Sequence, residues 1–333
     1  MASSISSMTQ LVADINNGIF AKCYLMCGKE SYLRFLYKNK LLNALVPDGD
    51  TLNFNKYTGD DVTAGEIIDQ AETMPFLAER RVVLIENCSI GKSGMDQLIS
   101  YLPDMPDTTI LILVDPDIDS KNKAYKVFEK EGKVYEFGVQ TEHDLRTWII
   151  NKLKNEKKTT ERPVVDMIIE RTGTDMLAID SEMEKLLSYT ADKTFITVAD
   201  VETITTVSVN SKVFDMIDSM VNKKTDEAIK RYHDIIVQKD SNPIGVLKLI
   251  IRQYNIMLQI KELRANGIPS SRIPDMIKQP SFVCRKCETQ IRNYSIERIR
   301  QVLESCAKVE EDVMIRSMNP EFMVELLIIE YSR

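Results

Sequence analysis

Gly28, Lys29 and Glu30 follow Cys23-Tyr24-Leu25-Met26-Cys27, which reads as a strand, and precede a helical pattern that opens near Ser31. A strand, a glycine turn and a helix N-terminus form the layout in which backbone amides and a helix dipole hold phosphate. A working loop of this kind needs several small residues so that the amides can wrap the phosphates. It then needs a lysine and a serine or threonine hydroxyl for phosphate and magnesium. Here the loop is too short, Glu30 stands where the hydroxyl belongs, and Ser31 comes one place late. A carboxylate at a helix start also opposes a triphosphate. Gly28 is therefore expected to permit a tight strand-to-helix turn, in a loop that is degenerate and non-functional.

Hydrolysis would further require an acidic residue at the end of a neighbouring buried strand, to hold magnesium and activate water. Glu86 ends Val82-Val83-Leu84-Ile85, and Asp115 ends Ile110-Leu111-Ile112-Leu113-Val114. Neither belongs to an acidic pair, so both are expected to be solvated strand ends. Cys284-Arg285-Lys286-Cys287 is a single Cys-x-x-Cys, with His143 and His233 far away in sequence, which does not make a four-ligand zinc site. No Gly-x-Ser-x-Gly elbow occurs, and the pair Glu310-Glu311 falls on a solvated helix face. No catalytic residue, metal or cofactor is expected.

Met74-Pro75-Phe76-Leu77-Ala78-Glu79-Arg80-Arg81 places large apolar residues in a short connection between a helix and a strand. Phe76 and Leu77 either tuck back under their own domain or project as anchors for a pocket on a partner. Further along, Lys278, Arg285, Lys286, Arg292, Arg298 and Arg300 form a moderately basic set, diluted by Glu288 and Glu297. The net charge of −7 argues against nucleic acid held over the whole surface, but leaves room for a local basic face.

The elements that position these residues alternate over the first 140 or so positions. Strands are expected at 23–27, 82–85, 110–114 and 134–137, with a weaker one at Leu52-Asn53-Phe54. Ala64, Ile67, Ile68 and Ala71 fall on one helical face behind a Thr63/Glu66 capping pair, and Met95, Leu98, Ile99 and Leu102 repeat the spacing. This is the pattern of a layered α/β domain with a mostly parallel sheet.

From Thr141 onward strand signals nearly vanish. Thr141 and Asp144 cap a helix carrying Leu145, Trp148 and Ile149, and Lys152, Lys154, Lys157, Lys158 and Pro163 read as a solvated helix end and loop. Met176, Ile179, Met183, Leu186 and Leu187 give the next segment its core face. Long helical patterns follow at 213–221, 227–237, 244–263, 295–316 and 321–331, interrupted by Ser241-Asn242-Pro243, Gly267-Ile268-Pro269 and Asn319-Pro320. At 333 residues, with 44% hydrophobic and 28% charged, the chain supports two or three domains. No apolar run approaches the roughly 18 residues of a membrane span, the amino end has no secretory pattern, and six dispersed cysteines suit reduced thiols. A cytoplasmic protein is expected.

Tyr24-Leu25-Met26-Cys27-Gly28-Lys29-Glu30-Ser31-Tyr32-Leu33 resembles the opening strand and degenerate phosphate loop of the delta subunits of bacterial DNA polymerase III clamp loaders. Phe76-Leu77-Ala78-Glu79-Arg80-Arg81-Val82-Val83 is similar to the segment with which that family grips the sliding clamp. Leu186-Leu187-Ser188-Tyr189 and Asn242-Pro243-Ile244-Gly245-Val246-Leu247 extend the resemblance over nearly the whole chain. The resemblance implies an AAA+-like α/β domain at 1–140, a small helical lid at 141–208 and a helical collar at 209–333. It implies a subunit without ATP hydrolysis of its own that binds and opens the clamp, the beta subunit, for loading onto primed DNA. Its collar would join the gamma/tau and delta prime subunits. Phe76 and Leu77 would enter an apolar pocket on the clamp, with Met74 and Pro75 shaping the turn. Arg285, Lys286 and Arg292 are the candidates for contact with primer-template DNA. The alternatives are an ATPase with Lys29 on phosphate and Asp115 or Glu86 on magnesium, or a stand-alone DNA-binding module.

Overall fold

Val82-Val83-Leu84-Ile85 and Ile110-Leu111-Ile112-Leu113-Val114 lie side by side inside a five-stranded parallel sheet, which is why neither shows an exposed polar face. The strands are β1 (Cys23–Cys27), β2 (Phe54–Thr58), β3 (Arg81–Glu86), β4 (Thr109–Asp115) and β5 (Lys133–Glu136), in the order β2-β3-β4-β1-β5. Leu84 pairs with Ile112, and Ile112 with Tyr24 on its other side. The computed structural model describes residues 4–59, 62–88, 96–237 and 242–333. The chain divides into two compact units, Met1–Gln140 and Thr141–Arg333.

Helices α1 (Ser4–Asn16), α2 (Ser31–Leu45), α3 (Ala64–Glu72), α4 (Asp96–Tyr101) and α5 (Lys123–Glu131) belong to the first unit. The Thr63/Glu66 capping box forms, and Ala64, Ile67 and Ala71 join Leu25, Val83, Ile85, Leu111 and Leu113 in the core. The weak strand expected at Leu52-Asn53-Phe54 is displaced. Only Phe54 belongs to β2, since the ladder with β3 begins at the Phe54–Val82 pair and Asn53, just before it, contributes only its main-chain carbonyl to Val82 N. Leu98 and Ile99 are buried on α4, whereas Leu102 sits in a 3-10 turn (Leu102–Asp104), where Pro103 stops the α-helix. Met95 lies outside the described residues.

The second unit holds α6 (Glu142–Asn155), α7 (Arg162–Thr172), α8 (Met176–Tyr189), α9 (Val198–Ile204), α10 (Val209–Val221), α11 (Thr225–Ile236), α12 (Pro243–Ala265), α13 (Ile273–Ile277), α14 (Ser281–Gln290), α15 (Ile296–Arg316) and α16 (Pro320–Tyr331). Several of their starts follow the sequence signals, whereas α13 and α14 fall between the expected helical patterns. Thr141 caps α6, Asn242 accepts from Gly245 N, Ser295 caps α15 and Asn319 caps α16, while Pro163, Pro243 and Pro320 occupy first turns. Ser241 lies outside the described residues.

The lysines expected to be solvated are not uniformly so. Lys154 and Lys157 are exposed, but Lys152 pairs with Asp180 and Glu184, and Lys158 is buried, donating to the carbonyls of Thr190 and Lys193. The carbonyl of Thr190, just past the end of α8, needs a donor, and an ammonium supplies one. A two-stranded parallel ladder, β6 (Thr159–Thr160) with β7 (Phe195–Ile196), also departs from the helix-only expectation and is too short for any periodicity to announce. Among the described residues no helix is long and apolar enough to cross a membrane.

Candidate functional site

Because the sheet is parallel, the connection that precedes β3 and the loop that follows β1 lie at opposite edges, roughly 15–20 Å apart at about 3.3 Å per strand residue. The two sequence-predicted sites are therefore separate.

At the carboxyl edge, Gly28 has φ +97°, and a Cβ there would stand 2.4 Å from the Phe137 carbonyl oxygen. The chain after β5 runs along the loop. Phe137 N donates to Cys27 O at 2.8 Å, and Glu30 N donates to Phe137 O at 2.9 Å. The Glu30 carboxylate caps α2 by accepting from Tyr32 N at 3.2 Å, and the Arg34 guanidinium donates to Gly28 O. An amide and a helix N-terminus that would face phosphate in a working loop are thus turned to the protein's own groups. Lys29 alone points out, exposed.

The strand-end carboxylates are not the solvated groups expected. Asp115, beside Cys27 in the sheet register, is buried and accepts from Asp117 N at 2.8 Å. Glu86 lies between Lys38 Nζ at 2.5 Å and Lys56 Nζ at 2.6 Å. Burial alone would raise its pKa, but hydrogen bonds from both lysines outweigh that and hold the carboxyl below its ordinary value. Helix α2 and strand β2 each send a lysine to the end of β3, so the space beside Glu86 carries structural cations.

At the amino edge, Met74, Phe76 and Leu77 are 80%, 60% and 93% exposed and Pro75 is half-buried, so the pair does not tuck beneath its own sheet. Leu77 has φ +52°, which turns the chain sharply. Three side chains that sequence reasoning missed hold this connection. Asn53 Nδ2 donates to Phe76 O at 3.0 Å, and Phe76 N donates to Asn53 Oδ1 at 2.7 Å. Asp50 fixes Asn53 by accepting from its backbone N at 3.0 Å and from Nδ2 at 2.8 Å, and these bonds hold the Asp50 carboxyl below its ordinary pKa. Arg81, buried at the start of β3, donates to Thr73 O at 2.9 Å and Asn55 Oδ1 at 2.7 Å. The one available sequence signal was Arg81 itself, a charge opening an otherwise apolar strand.

In the second unit the basic set is largely engaged. Arg285 approaches Glu142 at 3.7 Å, Lys286 approaches Glu170 at 3.4 Å, Arg300 meets Glu262 at 2.8 Å, and Arg298 lies 4.5 Å from the Tyr331 ring centroid. Arg292 is exposed and lines an open groove with Lys261, Arg264 and Glu288. Cys284 and Cys287 are buried on α14, where burial pushes their thiols up to about 11 and about 12. Among the described residues no group of three or more His, Cys, Asp and Glu is gathered as metal ligands are.

Residues 24–138, which contain both the closed loop and the exposed turn, match the family described as "DNA polymerase III, delta subunit", and residues 210–331 match "DNA polymerase III delta subunit, C-terminal domain". The chain belongs to the DNA polymerase III delta-subunit family. It is 25% identical over 320 residues to the DNA polymerase III subunit delta of Bacillus subtilis, covering 92% of each chain. It is 19% identical over 303 residues to the probable DNA polymerase III subunit delta of Aquifex aeolicus, covering 87% of this chain and 85% of that one. The solved DNA clamp loader delta protein of B. subtilis shares the fold with a TM-score of 0.71 at 22% identity, over 98% of this chain and 99% of that one. The expected fold class, a parallel-sheet α/β domain followed by helical parts, is the one observed, and that solved protein shares it.

Proposed function

We propose that this chain is the clamp-loader subunit that binds the sliding clamp through Phe76 and Leu77 and opens it for loading onto primed DNA, without catalysis of its own. The observation that carries the proposal is the exposed apolar pair on a turn fastened to the sheet by Asn53 and Arg81. Two large apolar side chains projecting from a fixed backbone suit a small pocket on a partner, and buried anchors of this kind dominate interface energetics. Met74 and Pro75 flank the pair and shape its approach.

In this proposal the first domain is 1–140, the lid 141–208 and the collar 209–333. The collar meets the gamma/tau and delta prime subunits, ATP belongs to those neighbours, and the assembly works in the cytoplasm. Arg292, exposed beside Lys261 and Arg264, is the best placed of the three proposed DNA contacts, since Arg285 and Lys286 face carboxylates. The ATPase alternative would require nucleotide to displace both the Glu30 cap and the Phe137 carbonyl.

A pull-down of the purified chain against the beta clamp tests the proposal. Wild type is expected to retain the clamp, and the double variant Phe76→Ala/Leu77→Ala, still folded by circular dichroism, is expected to lose it. Each anchor is worth about 1.5–3 kcal/mol of burial, so the pair together corresponds to a loss of roughly 10²- to 10⁴-fold. Equal retention of both proteins would assign the contact elsewhere.

A further inference from the structure

Asn53 touches the connection between α3 and β3 in two ways. Its main-chain carbonyl accepts from Val82 N at 2.8 Å, where the connection enters the sheet, and its carboxamide exchanges two hydrogen bonds with the backbone of Phe76, at the middle of the connection. Arg81 fastens the beginning, at Thr73 O. All of these bonds hold the backbone, and none involves the side chains of Met74, Phe76 or Leu77. The carboxamide cannot be turned over, since Nδ2 must face both the Asp50 carboxylate and the Phe76 carbonyl while Oδ1 faces the Phe76 amide. Asn53 is only 5% exposed, so solvent offers no replacement partner.

We propose that Asn53, oriented by Asp50, is a positioning residue that holds the Phe76-Leu77 turn in its binding geometry before any partner arrives. The inference rests on the clamp-binding reading of Phe76 and Leu77, and it adds that the grip is preformed. A flexible connection would collapse its apolar side chains onto its own surface and lose ordering entropy on binding. A fastened one presents them at no such cost.

The test uses the full chain with Asn53→Ala and, as a milder variant at a half-buried position, Asp50→Ala. Amide hydrogen exchange at Phe76 and affinity for the beta clamp are both measured. Asn53→Ala is expected to accelerate Phe76 exchange by at least about tenfold, while amides of β3 and β4 stay protected. It is also expected to weaken clamp binding about tenfold, with Asp50→Ala intermediate in both. Placed on Phe76→Ala/Leu77→Ala, Asn53→Ala should cost no further affinity, a non-additivity that a general loss of stability would not produce. Undiminished clamp affinity in Asn53→Ala with Phe76 exchange accelerated would overturn the positioning role. So would full Phe76 protection in that variant. A wild-type chain that fails to bind the clamp while its Phe76 amide is protected would instead overturn the clamp reading and leave a preformed turn for another partner.

Discussion

Gly28 and Phe137 are packed backbone against backbone: a Cβ on Gly28 would lie 2.4, 2.7 and 2.9 Å from the carbonyl oxygen, carbonyl carbon and nitrogen of Phe137. In a working phosphate loop, small residues keep the backbone open to a ligand. Here the glycine admits another stretch of the same chain, and the Phe137 carbonyl takes the Glu30 amide.

Gly28→Ala is therefore expected to destabilise the protein by roughly 2–4 kcal/mol, from a left-handed φ and a clash with unyielding backbone. Thermal melts of the full chain measure it. A variant that melts with wild type would mean that β5 and the loop separate easily.

Magnesium ATP at millimolar concentration is expected to leave the melting temperature unchanged. Glu30→Ala should lose about 1 kcal/mol of capping and still bind no nucleotide, because its main-chain amide stays on Phe137. The check is a nucleotide titration of wild type, Glu30→Ala and Lys29→Ala. Magnesium-dependent binding abolished by Lys29→Ala would restore the ATPase alternative.

Leu77 separates stability from binding. Its φ of +52° is strained for a branched side chain, and at 93% exposure it has little packing to lose. Leu77→Gly should relieve about 1–2 kcal/mol of strain, offset by about 0.5–1 kcal/mol of unfolded-state entropy. The expected variant is as stable as wild type or slightly more so, yet binds the clamp roughly 10- to 100-fold more weakly. Denaturant melts and clamp titration on one preparation decide the matter, and parallel losses in both would contradict it.

Much of this architecture is legible in the sequence, for identifiable reasons. Strands β3 and β4 are buried on both faces and so read as unbroken apolar runs, and helices α10, α12, α15 and α16 start behind Ser or Asn caps, two of them Asn-Pro. Gly28 with Glu30 shows that the loop is not built for phosphate. What takes the phosphate's place is not legible, because the Phe137 carbonyl arrives from 107–109 residues away. Asn53 escapes for a similar reason: an amide bonded to backbone 23 residues on leaves no periodic trace. Glu86 and Asp115 look like spare acids because their partners Lys38, Lys56 and the Asp117 amide come from a helix, a neighbouring strand and a turn, and which of these meet at the strand ends is not written in the sequence pattern.

Glu86 should also leave a mark on the pH dependence of folding. Its folded-state pKa lies below the ordinary value of 4.5, because Lys38 and Lys56 favour the carboxylate more than burial disfavours it. A depressed acid contributes stability that is fully present above its unfolded pKa and is lost as pH falls through the folded pKa. Glu86→Gln removes that contribution and leaves the buried Lys38 ammonium without its carboxylate, a cost of about 1–3 kcal/mol at pH 7. The difference in unfolding free energy between wild type and Glu86→Gln should be constant from pH 6 to 8 and shrink as pH is lowered past about 4.5. Denaturant melts across that range measure it. A difference that grows toward acid would show that burial, not the two lysines, governs Glu86.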